Sequence, residues 1–287
     1  MPKLTPPVSQ FVSVDGVRLH YQVVGQDTPR LPVIFTHGGG PGSTAWSNFR
    51  LSAETFATRH RCYFLDFAQF GRSDMVPVHG PLLGWHARKL LGFMDALGLE
   101  RVHLINQSLG GAVALRLAAD SPQRVGRLIS IGAQPVDRGV LQPLPLFSKH
   151  AATLMSDYYL ADDGPSISKM RVLLGRYELH DDELLDDENL RLRFEASDNA
   201  GFIQLLQTPG AFGEWESLLP VLDQVQAPTL LCWGLHDWFG SVDVPMMMLN
   251  RLPDARLHVF GNAAHHLQSE CPDEFNRLAL SFIGAHE

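Results

Sequence analysis

Ser108 lies at a point in the chain where it could act as a nucleophile. The apolar residues 102–105 predict a buried strand, and residues 112–119, after Gly110 and Gly111, predict a helix. A serine on so tight a turn from strand to helix is forced outward, and the glycines allow the backbone to fold sharply. Free backbone N–H groups at the start of the helix also favour developing negative charge beside the serine.

Asn106 departs from the glycine-x-serine-x-glycine pattern of such a turn, because it stands where the first glycine is usual. Asn tolerates unusual backbone angles better than most residues, so we expect the turn to form with it. A serine in an ordinary strand-to-helix turn could have the same neighbours. Whether Ser108 is a nucleophile or an ordinary turn residue therefore depends on whether the chain also supplies the other parts of a catalytic site.

A second glycine cluster, HGGGPG at residues 37–42, follows the predicted strand at residues 33–36. A loop without side chains can bring backbone N–H groups against a ligand oxygen, which a tetrahedral oxyanion requires. We assign the two donors to the N–H groups of Gly39 and Leu109. A phosphate-binding loop is a weak alternative, because no Lys-Ser or Lys-Thr pair follows the glycines.

An acid and a base follow two later strands. Asp237 comes after the strand predicted at residues 229–234, and His265 comes after the strand predicted at residues 256–260. The order serine, aspartate, histidine differs from that of the chymotrypsin and subtilisin triads. In this scheme His265 takes the Ser108 proton as general base, while Asp237 orients the imidazole and stabilises the imidazolium.

The doublet His265-His266 leaves the identity of the base open. We prefer His265, because it lies five residues before Glu270 in a pattern of the type H-x-x-x-x-E-x-P. His266 is the alternative. A lone Asp or His in a loop is usually structural, but here four elements occur in one order and at the ends of strands.

The composition narrows the class of protein. With 287 residues and 45% hydrophobic content, the chain can bury a large core as one α/β domain plus an insertion. The formal net charge of −8 argues against nucleic acid or an anionic membrane surface as a partner. The first residues lack a signal-peptide pattern and no apolar run has the length of a membrane span, so we expect a cytoplasmic protein with reduced cysteines. No Cys or His spacing predicts a metal site.

The order of predicted strands and helices indicates an α/β fold. Strands are predicted at residues 11–14, 17–23, 33–36, 62–65, 102–105, 127–131, 229–234 and 256–260. Helices alternate with them, for example at residues 84–97, which predicts a mostly parallel, doubly wound sheet. Ligands bind at the carboxyl ends of the strands of such sheets, where all the candidate residues above lie.

The alternation stops between residues 134 and 226, where apolar residues recur at helical spacing. Helices are predicted there at residues 151–159, 167–174, 190–194 and 202–206. We therefore expect residues 1–133 and 227–287 to form the core, and residues 134–226 to form an inserted helical cap.

With these motifs in place, the chain resembles the α/β-hydrolase superfamily over nearly its full length. Within it, the chain is similar to the meta-cleavage product hydrolases, which are C–C bond hydrolases of bacterial aromatic and steroid ring degradation. The resemblance depends on HGGGPGSTAWSNF at residues 37–49, SLGG at residues 108–111 and the region around residues 257–276. Four residues depart from the family pattern: Asn106 and Ala264 replace Gly, Gln107 replaces Asn, and His266 replaces Trp.

The resemblance implies a small-molecule substrate, no cofactor, and a homodimer or higher homo-oligomer. It implies ketonisation of a dienol, attack of Ser108 on the distal ketone, and release of a 2-hydroxydienoic acid and a second carboxylic acid. It also implies that Arg193 grips the substrate carboxylate through its guanidinium fork, with Arg191 as a nearby alternative. The other residues expected to bind the substrate are Gly38, Gly40, Asn48, Gln107 and His266.

Two other functions stay open. A carboxylesterase, lactonase or amide hydrolase would use the same triad, and the HGGGPG segment is also similar to prolyl iminopeptidases. Those enzymes usually carry a Trp after the nucleophile, where this chain has Leu109. A non-catalytic, ligand-binding hydrolase fold is the third alternative. Dehalogenases and epoxide hydrolases of the same fold need an Asp in place of Ser108, which disfavours them.

Overall fold

An eight-stranded sheet forms the centre of the molecule. The computed structural model describes residues 5–133 and 153–284. The strands of the chain are β1 Gln10–Val14, β2 Val17–Val24, β3 Val33–Thr36, β4 Cys62–Leu65, β5 Val78–Pro81, β6 Val102–Gln107, β7 Val125–Ile131, β8 Phe212–Glu214, β9 Thr229–Gly234 and β10 Ala255–Phe260. In space the large sheet runs β1-β2-β4-β3-β6-β7-β9-β10. β2 pairs antiparallel with both of its neighbours and every other pair is parallel, which confirms the predicted sheet.

Helices cover both faces of this sheet. The helices are α1 Ala45–Ala57, α2 Leu82–Ala96, α3 Leu109–Asp120, α4 Ile167–Leu173, α5 Asp187–Ser197, α6 Ala200–Leu206, α7 Asp243–Leu249, α8 Leu267–Glu270 and α9 Pro272–Ile283. Side chains of α1 and α9 form one apolar core, and side chains of α2, α3 and α7 form the other. In β3, Ile34 belongs to one core while Val33 and Phe35 belong to the other. Burial on both faces explains why the central strands are continuous apolar runs.

Residues 153–226, which we call the helical segment, lie between β7 and β9 along the chain. Residues 153–159 are helical, α4 continues into a π-helical turn at Leu174–Glu178, and α5 and α6 follow. These helices agree with the predicted ones, except that residues 151–152 lie outside the described residues. The start of the predicted cap, residues 134–152, lies outside them as well, and the division into core and cap stays a prediction. Within the described ranges, every helix is too short or too polar to cross a membrane.

A two-stranded parallel sheet of β5 and β8 joins the helical segment to the rest of the fold, which the sequence did not predict. The side chain of Gln69 strengthens this connection, because its amide donates to the carbonyls of Val76 at 2.8 Å and Ala211 at 2.9 Å. Strands of three and four residues are too short to show an alternating pattern.

Candidate active site

Ser108 lies between β6 and α3 in a backbone conformation that few non-glycine residues adopt. Its φ is 51° and its ψ is −115°. Its N–H donates to the carbonyl of Ile131 at 2.7 Å, which fixes the turn against the neighbouring strand. Strained backbone of this kind concentrates at functional sites. Here it places Ser108 in the wall of a cavity.

The two glycines after Leu109 let α3 begin close to the sheet. A Cβ on Gly110 would lie 2.5 Å from Oγ1 of Thr36, and one on Gly111 would lie 2.5 Å from Cβ of Ala133. Any larger residue would therefore push the helix away from the strands on either side. The glycines hold the positive end of the α3 dipole next to Ser108.

Asn106 fits the turn for a reason other than the expected one. It lies in regular β6 with a negative φ, so no unusual backbone angle is required of it. Its buried side chain instead joins the two neighbouring strands. Its Oδ1 accepts from the Thr36 hydroxyl at 2.7 Å, and its Nδ2 donates to the Ile129 carbonyl at 3.3 Å.

The predicted acid and base are hydrogen-bonded to each other. Nδ1 of His265 lies 2.8 Å from Oδ2 of Asp237, and both side chains are buried. The other oxygen of Asp237 accepts from the N–H groups of Phe239 at 2.7 Å and Gly240 at 3.3 Å. These bonds fix the carboxylate, which in turn orients the imidazole through its Nδ1.

Two residues that the sequence did not single out surround this pair. The ring of Phe239 lies 4.5 Å from the ring of His265, centroid to centroid. Gly132 follows β7 with a φ of 55°, and a Cβ there would lie 2.9 Å from Nδ1 of His265 and 3.1 Å from Oδ2 of Asp237. A glycine directly after a strand was the one sequence signal for this close approach.

The expected oxyanion donors are placed on the same cavity. Gly39 and Leu109 both line it, and among the described residues neither N–H donates to another protein group. The N–H of Gly38 is occupied, because it donates to Oδ1 of Asn48 at 3.0 Å. Asn48 is buried away from the cavity lining, so its side chain supports the glycine loop where we expected it to contact substrate.

Arg193 is placed differently from the expectation drawn from the family. It is 0% exposed and absent from the cavity lining. Its Nη1 and Nη2 donate to the two carboxylate oxygens of Glu178, at 2.8 Å and 2.9 Å, and its Nε donates to the carbonyl of Pro41 at 2.9 Å. The guanidinium fork that was to hold a substrate carboxylate thus holds a carboxylate of the protein. The alternative, Arg191, is exposed and pairs with Glu188 and Glu195.

Glu178 and the second histidine of the doublet form the polar end of the cavity together. Nε2 of His266 lies 3.1 Å from Oε2 of Glu178, and both residues line the cavity. Burial alone would raise the pKa of the Glu178 carboxyl, but the charge and hydrogen bonds of Arg193, together with the neighbouring imidazoles of His266 and His265, outweigh burial and hold that pKa at about 2. Burial lowers the pKa of His266 to about 3, so its imidazole is neutral at pH 7. Glu178 carries no motif that would have revealed it in the sequence.

The cavity itself has a volume of about 550 Å³ and is mostly apolar. Gly40 and Gln107 line it as expected, and the Gln107 amide donates to the His265 carbonyl at 3.3 Å. Its apolar wall comes from the helical segment and from the residues before and after it: Phe70, Leu82, Leu109, Leu154, Met155, Leu173, Phe202, Phe212, Trp215 and Phe239. Such a cavity with a few polar groups at one end is typical of a small-molecule site. Within the described ranges, no group of three or more His, Cys, Asp and Glu residues is arranged to hold a metal ion.

Glu270 connects the loop of the candidate base to the helical segment. Its Oε2 accepts from the N–H of Ala264 at 2.6 Å, directly before His265. Its Oε1 accepts from the N–H groups of His180 at 2.6 Å and Asp181 at 3.3 Å. Burial raises the pKa of the Glu270 carboxyl, while these three N–H groups oppose that rise.

The fold and site can now be compared with known proteins. A family model described as the alpha/beta hydrolase fold matches residues 32–272. A 2-hydroxy-6-oxononadienedioate/2-hydroxy-6-oxononatrienedioate hydrolase of a Pseudomonas species is 33% identical over 258 residues, 88% of this chain and 87% of that protein. A 2-hydroxy-6-oxo-6-phenylhexa-2,4-dienoate hydrolase of Comamonas testosteroni is 33% identical over 271 residues, 92% of this chain and 91% of that protein.

Among solved structures, the chain is similar to the meta-cleavage product hydrolase of Pseudomonas fluorescens IP01. The TM-score is 0.79 at 27% identity, covering 97% of this chain and 98% of that one. The family match includes the glycine loop, the Ser108 turn and both members of the Asp237–His265 pair. The chain therefore belongs to the alpha/beta hydrolase fold family.

Proposed function

We propose that this chain is a serine-dependent hydrolase that cleaves a C–C bond in meta-ring-fission products of the 2-hydroxy-6-oxo-dienoate type. The observation that carries the proposal is that strained Ser108 lines the same cavity as His265, whose imidazole is hydrogen-bonded to Asp237. The two relatives described above, each a third identical to this chain, are hydrolases of 2-hydroxy-6-oxo-dienoates. Together these findings favour C–C hydrolysis.

The first step proposed is ketonisation of the dienol. It moves the enol proton from oxygen to carbon, so that the fragment beyond the scissile bond can leave as a stabilised carbanion. The distal ketone then becomes the target of the nucleophile. The apolar wall around Phe202, Phe212 and Trp215 suits an apolar substituent on that ketone.

The second step proposed is acyl transfer to the serine. His265 removes the Ser108 hydroxyl proton, and the oxygen attacks the distal ketone. The resulting oxyanion accepts hydrogen bonds from the N–H groups of Gly39 and Leu109. Its collapse breaks the C–C bond, leaves the acyl group on Ser108, and lets the carbanion take the proton from His265. A water deprotonated by His265 then releases the acyl group, giving a 2-hydroxydienoic acid and a second carboxylic acid.

One observation favours a second candidate function, hydrolysis of an ester or lactone by the same triad. The guanidinium of Arg193, which should hold the carboxylate of a dienoate, is occupied by Glu178. An ester or lactone without a free carboxylate does not need that guanidinium. The polar end of the cavity therefore keeps this alternative open.

The experiment that tests the proposal follows the visible absorbance of a small panel of ring-fission dienols. Wild type should bleach the dienols, and Ser108→Ala should not. A matched control is Ser121→Ala, since Ser121 lies at the other end of α3 and its side chain does not cap the short turn at residues 122–124 that follows. No bleaching by wild type, together with Ser108-dependent hydrolysis of p-nitrophenyl esters, would reject C–C cleavage in favour of the second candidate. Failure of Ser108 to react with a fluorophosphonate would reject both.

A further inference from the structure

The pair formed by Arg193 and Glu178 holds a carboxylate of the protein at the polar end of the cavity. Nη1 and Nη2 of Arg193 donate to the two oxygens of Glu178, at 2.8 Å and 2.9 Å, which is the two-point geometry that a guanidinium offers to any carboxylate. Glu178 lines the cavity, whereas Arg193 is 0% exposed and does not line it. The guanidinium is therefore a carboxylate site whose occupant borders the cavity.

Gly40 leaves room beside both members of this pair. It lines the cavity, and a Cβ built on it would lie 2.9 Å from Oε1 of Glu178 and 3.1 Å from Nη2 of Arg193. Any side chain at this position would crowd the contact between the two groups. Because glycine has none, a carboxylate in the cavity can approach Nη2 of Arg193 from the Gly40 side.

Glu178 has a second partner, which it can keep after it leaves the guanidinium. Nε2 of His266 lies 3.1 Å from Oε2 of Glu178, and both residues line the cavity. The imidazole of His265 also lies beside them, with its ring centre 5.8 Å from that of His266. Movement of the Glu178 side chain away from Arg193 would therefore leave its carboxyl group next to an imidazole.

Release from Arg193 would change the protonation of Glu178. Burial opposes the charged form of its carboxyl group, and the charge of Arg193 comes first among the effects that nevertheless hold its pKa at about 2. A ligand carboxylate bound to the guanidinium would offset that charge, so burial would then favour a proton on Glu178 or on neutral His266. Because the two side chains are in contact, the proton belongs to the pair.

We infer that the carboxylate of the substrate exchanges with Glu178 on Arg193, and that the Glu178–His266 pair takes up one proton from solvent as the substrate binds. The charge balances, because the negative charge brought by the ligand is matched by the positive charge of the proton. The inference rests on the proposed function for the substrate, a 2-hydroxy-6-oxo-dienoate. It deepens that function by making Glu178 an internal competitor that sets the affinity for the substrate carboxylate.

The test counts the protons taken up when 2-hydroxy-6-oxo-6-phenylhexa-2,4-dienoate binds to the full-length Ser108→Ala protein, which lacks the proposed nucleophile. Titration calorimetry at pH 7 in buffers with different heats of ionisation gives this number. The same titration of the Ser108→Ala/Glu178→Gln protein cancels any ionisation of the ligand itself. We expect Ser108→Ala to take up about one proton more than the double variant. Equal uptake by the two proteins would overturn the inference, and so would failure of Ser108→Ala to bind the ligand.

The affinity for the same ligand is a second measurement. Glu178→Gln removes the competing carboxylate and leaves the charge of Arg193 for the ligand, so the affinity should rise about tenfold or more. Glu183→Gln removes an exposed acid from the same segment and is the matched control, with affinity and proton uptake expected to stay as in Ser108→Ala. An affinity that does not rise in a folded Glu178→Gln protein would overturn the role of Glu178 as competitor.

If Glu178→Gln does not fold, the ligand can be changed in place of the protein. The methyl ester of the same dienoate keeps the enol and the phenyl ring but has no carboxylate to exchange. Its binding to Ser108→Ala should therefore take up about one proton fewer than binding of the free acid. Equal uptake with the two ligands would contradict the exchange.

These outcomes are distinct from those that test the proposed function. Turnover of the free acid by wild type tests C–C cleavage alone, whereas binding is measured on a protein without the nucleophile. A wild type that cleaves the dienoate, with no extra proton taken up by Ser108→Ala, would support the proposed function and overturn the inference. A wild type that leaves the dienoate intact, with the extra proton taken up, would reject the proposed function and support the exchange.

Discussion

Gly132→Ala should displace the Asp237–His265 pair by placing a methyl group against it, without changing any residue proposed to react. The new Cβ would lie 2.9 Å from Nδ1 and 3.0 Å from Cε1 of His265. Ordinary contacts between such atoms are about 3.5–4.0 Å, so the imidazole must move by roughly 0.5–1 Å. A displacement of about 1 Å in an active site can lower the rate about 100-fold. Because φ at Gly132 is +55°, alanine also destabilises the fold by about 1–2 kcal/mol.

The assay must separate the displaced imidazole from the strained backbone. Gly98→Ala is the matched control, because Gly98 has a φ of +67° and no atom within 4 Å of its would-be Cβ. Both variants should lose similar stability in thermal unfolding. Only Gly132→Ala should lose about 100-fold in kcat/KM and in the rate of fluorophosphonate labelling of Ser108. If Gly132→Ala labels and turns over as fast as Gly98→Ala, the Asp237–His265 geometry does not set the rate, and the reasoning is wrong.

Two further predictions concern the buried side chains of Arg193, Glu178 and His266, the polar cluster beside the cavity. Arg193→Met should lower the free energy of unfolding, measured in urea titrations, by about 3–5 kcal/mol, because it leaves the Glu178 carboxylate buried and unpaired. Adding Glu178→Met should restore most of that loss. The control Arg191→Met changes an exposed residue and should alter the free energy of unfolding by less than about 0.5 kcal/mol. The stability of the wild type should also fall on acidification between about pH 5 and pH 2, because the pKa of Glu178 is about 2 when folded and ordinary when unfolded, so the unfolded chain takes up the proton first. That single group accounts for about 3 kcal/mol of the free energy of unfolding. In the double Met variant the free energy of unfolding should therefore fall less steeply as the pH is lowered. The same fall in both proteins would contradict the charge assigned to Glu178.

The central strands and the candidate catalytic residues could be located from the sequence because their signals are local. Ser108 and Asp237 each follow an apolar run that forms a strand buried on both faces, and His265 follows the edge strand β10, of which only Phe260 is buried. Parallel strands present their carboxyl ends at one edge of the sheet, so the order of strands was enough to bring these residues together. The hydrogen bond between Asp237 and His265 forms at that edge, where the ends of β9 and β10 lie side by side.

The polar cluster could not be predicted, because it depends on contacts between distant parts of the chain. Glu178 lies at the end of a π-helical turn, 15 residues before Arg193, with no helical spacing that would link the two. The resemblance suggested a free guanidinium, and only the packing of α5 against this turn shows that the guanidinium is occupied. Asn106 gives the same lesson, since its role depends on side-chain bonds to two neighbouring strands.

The carboxylate of Glu270 couples the helical segment to the backbone next to the candidate base. It bonds the backbone at His180 and Asp181 on one side and the residue before His265 on the other. Movement of the helical segment at residues 180–181 would remove two of its three N–H partners and free the carboxylate to swing away from Ala264. The backbone before the base is therefore braced by Glu270 only while residues 180–181 stay in contact with it, whereas the bond from Asp237 to the imidazole does not depend on that contact. One carboxylate thus links the backbone at residues 180–181 to the backbone before the base, so a displacement at either end is transmitted to the other.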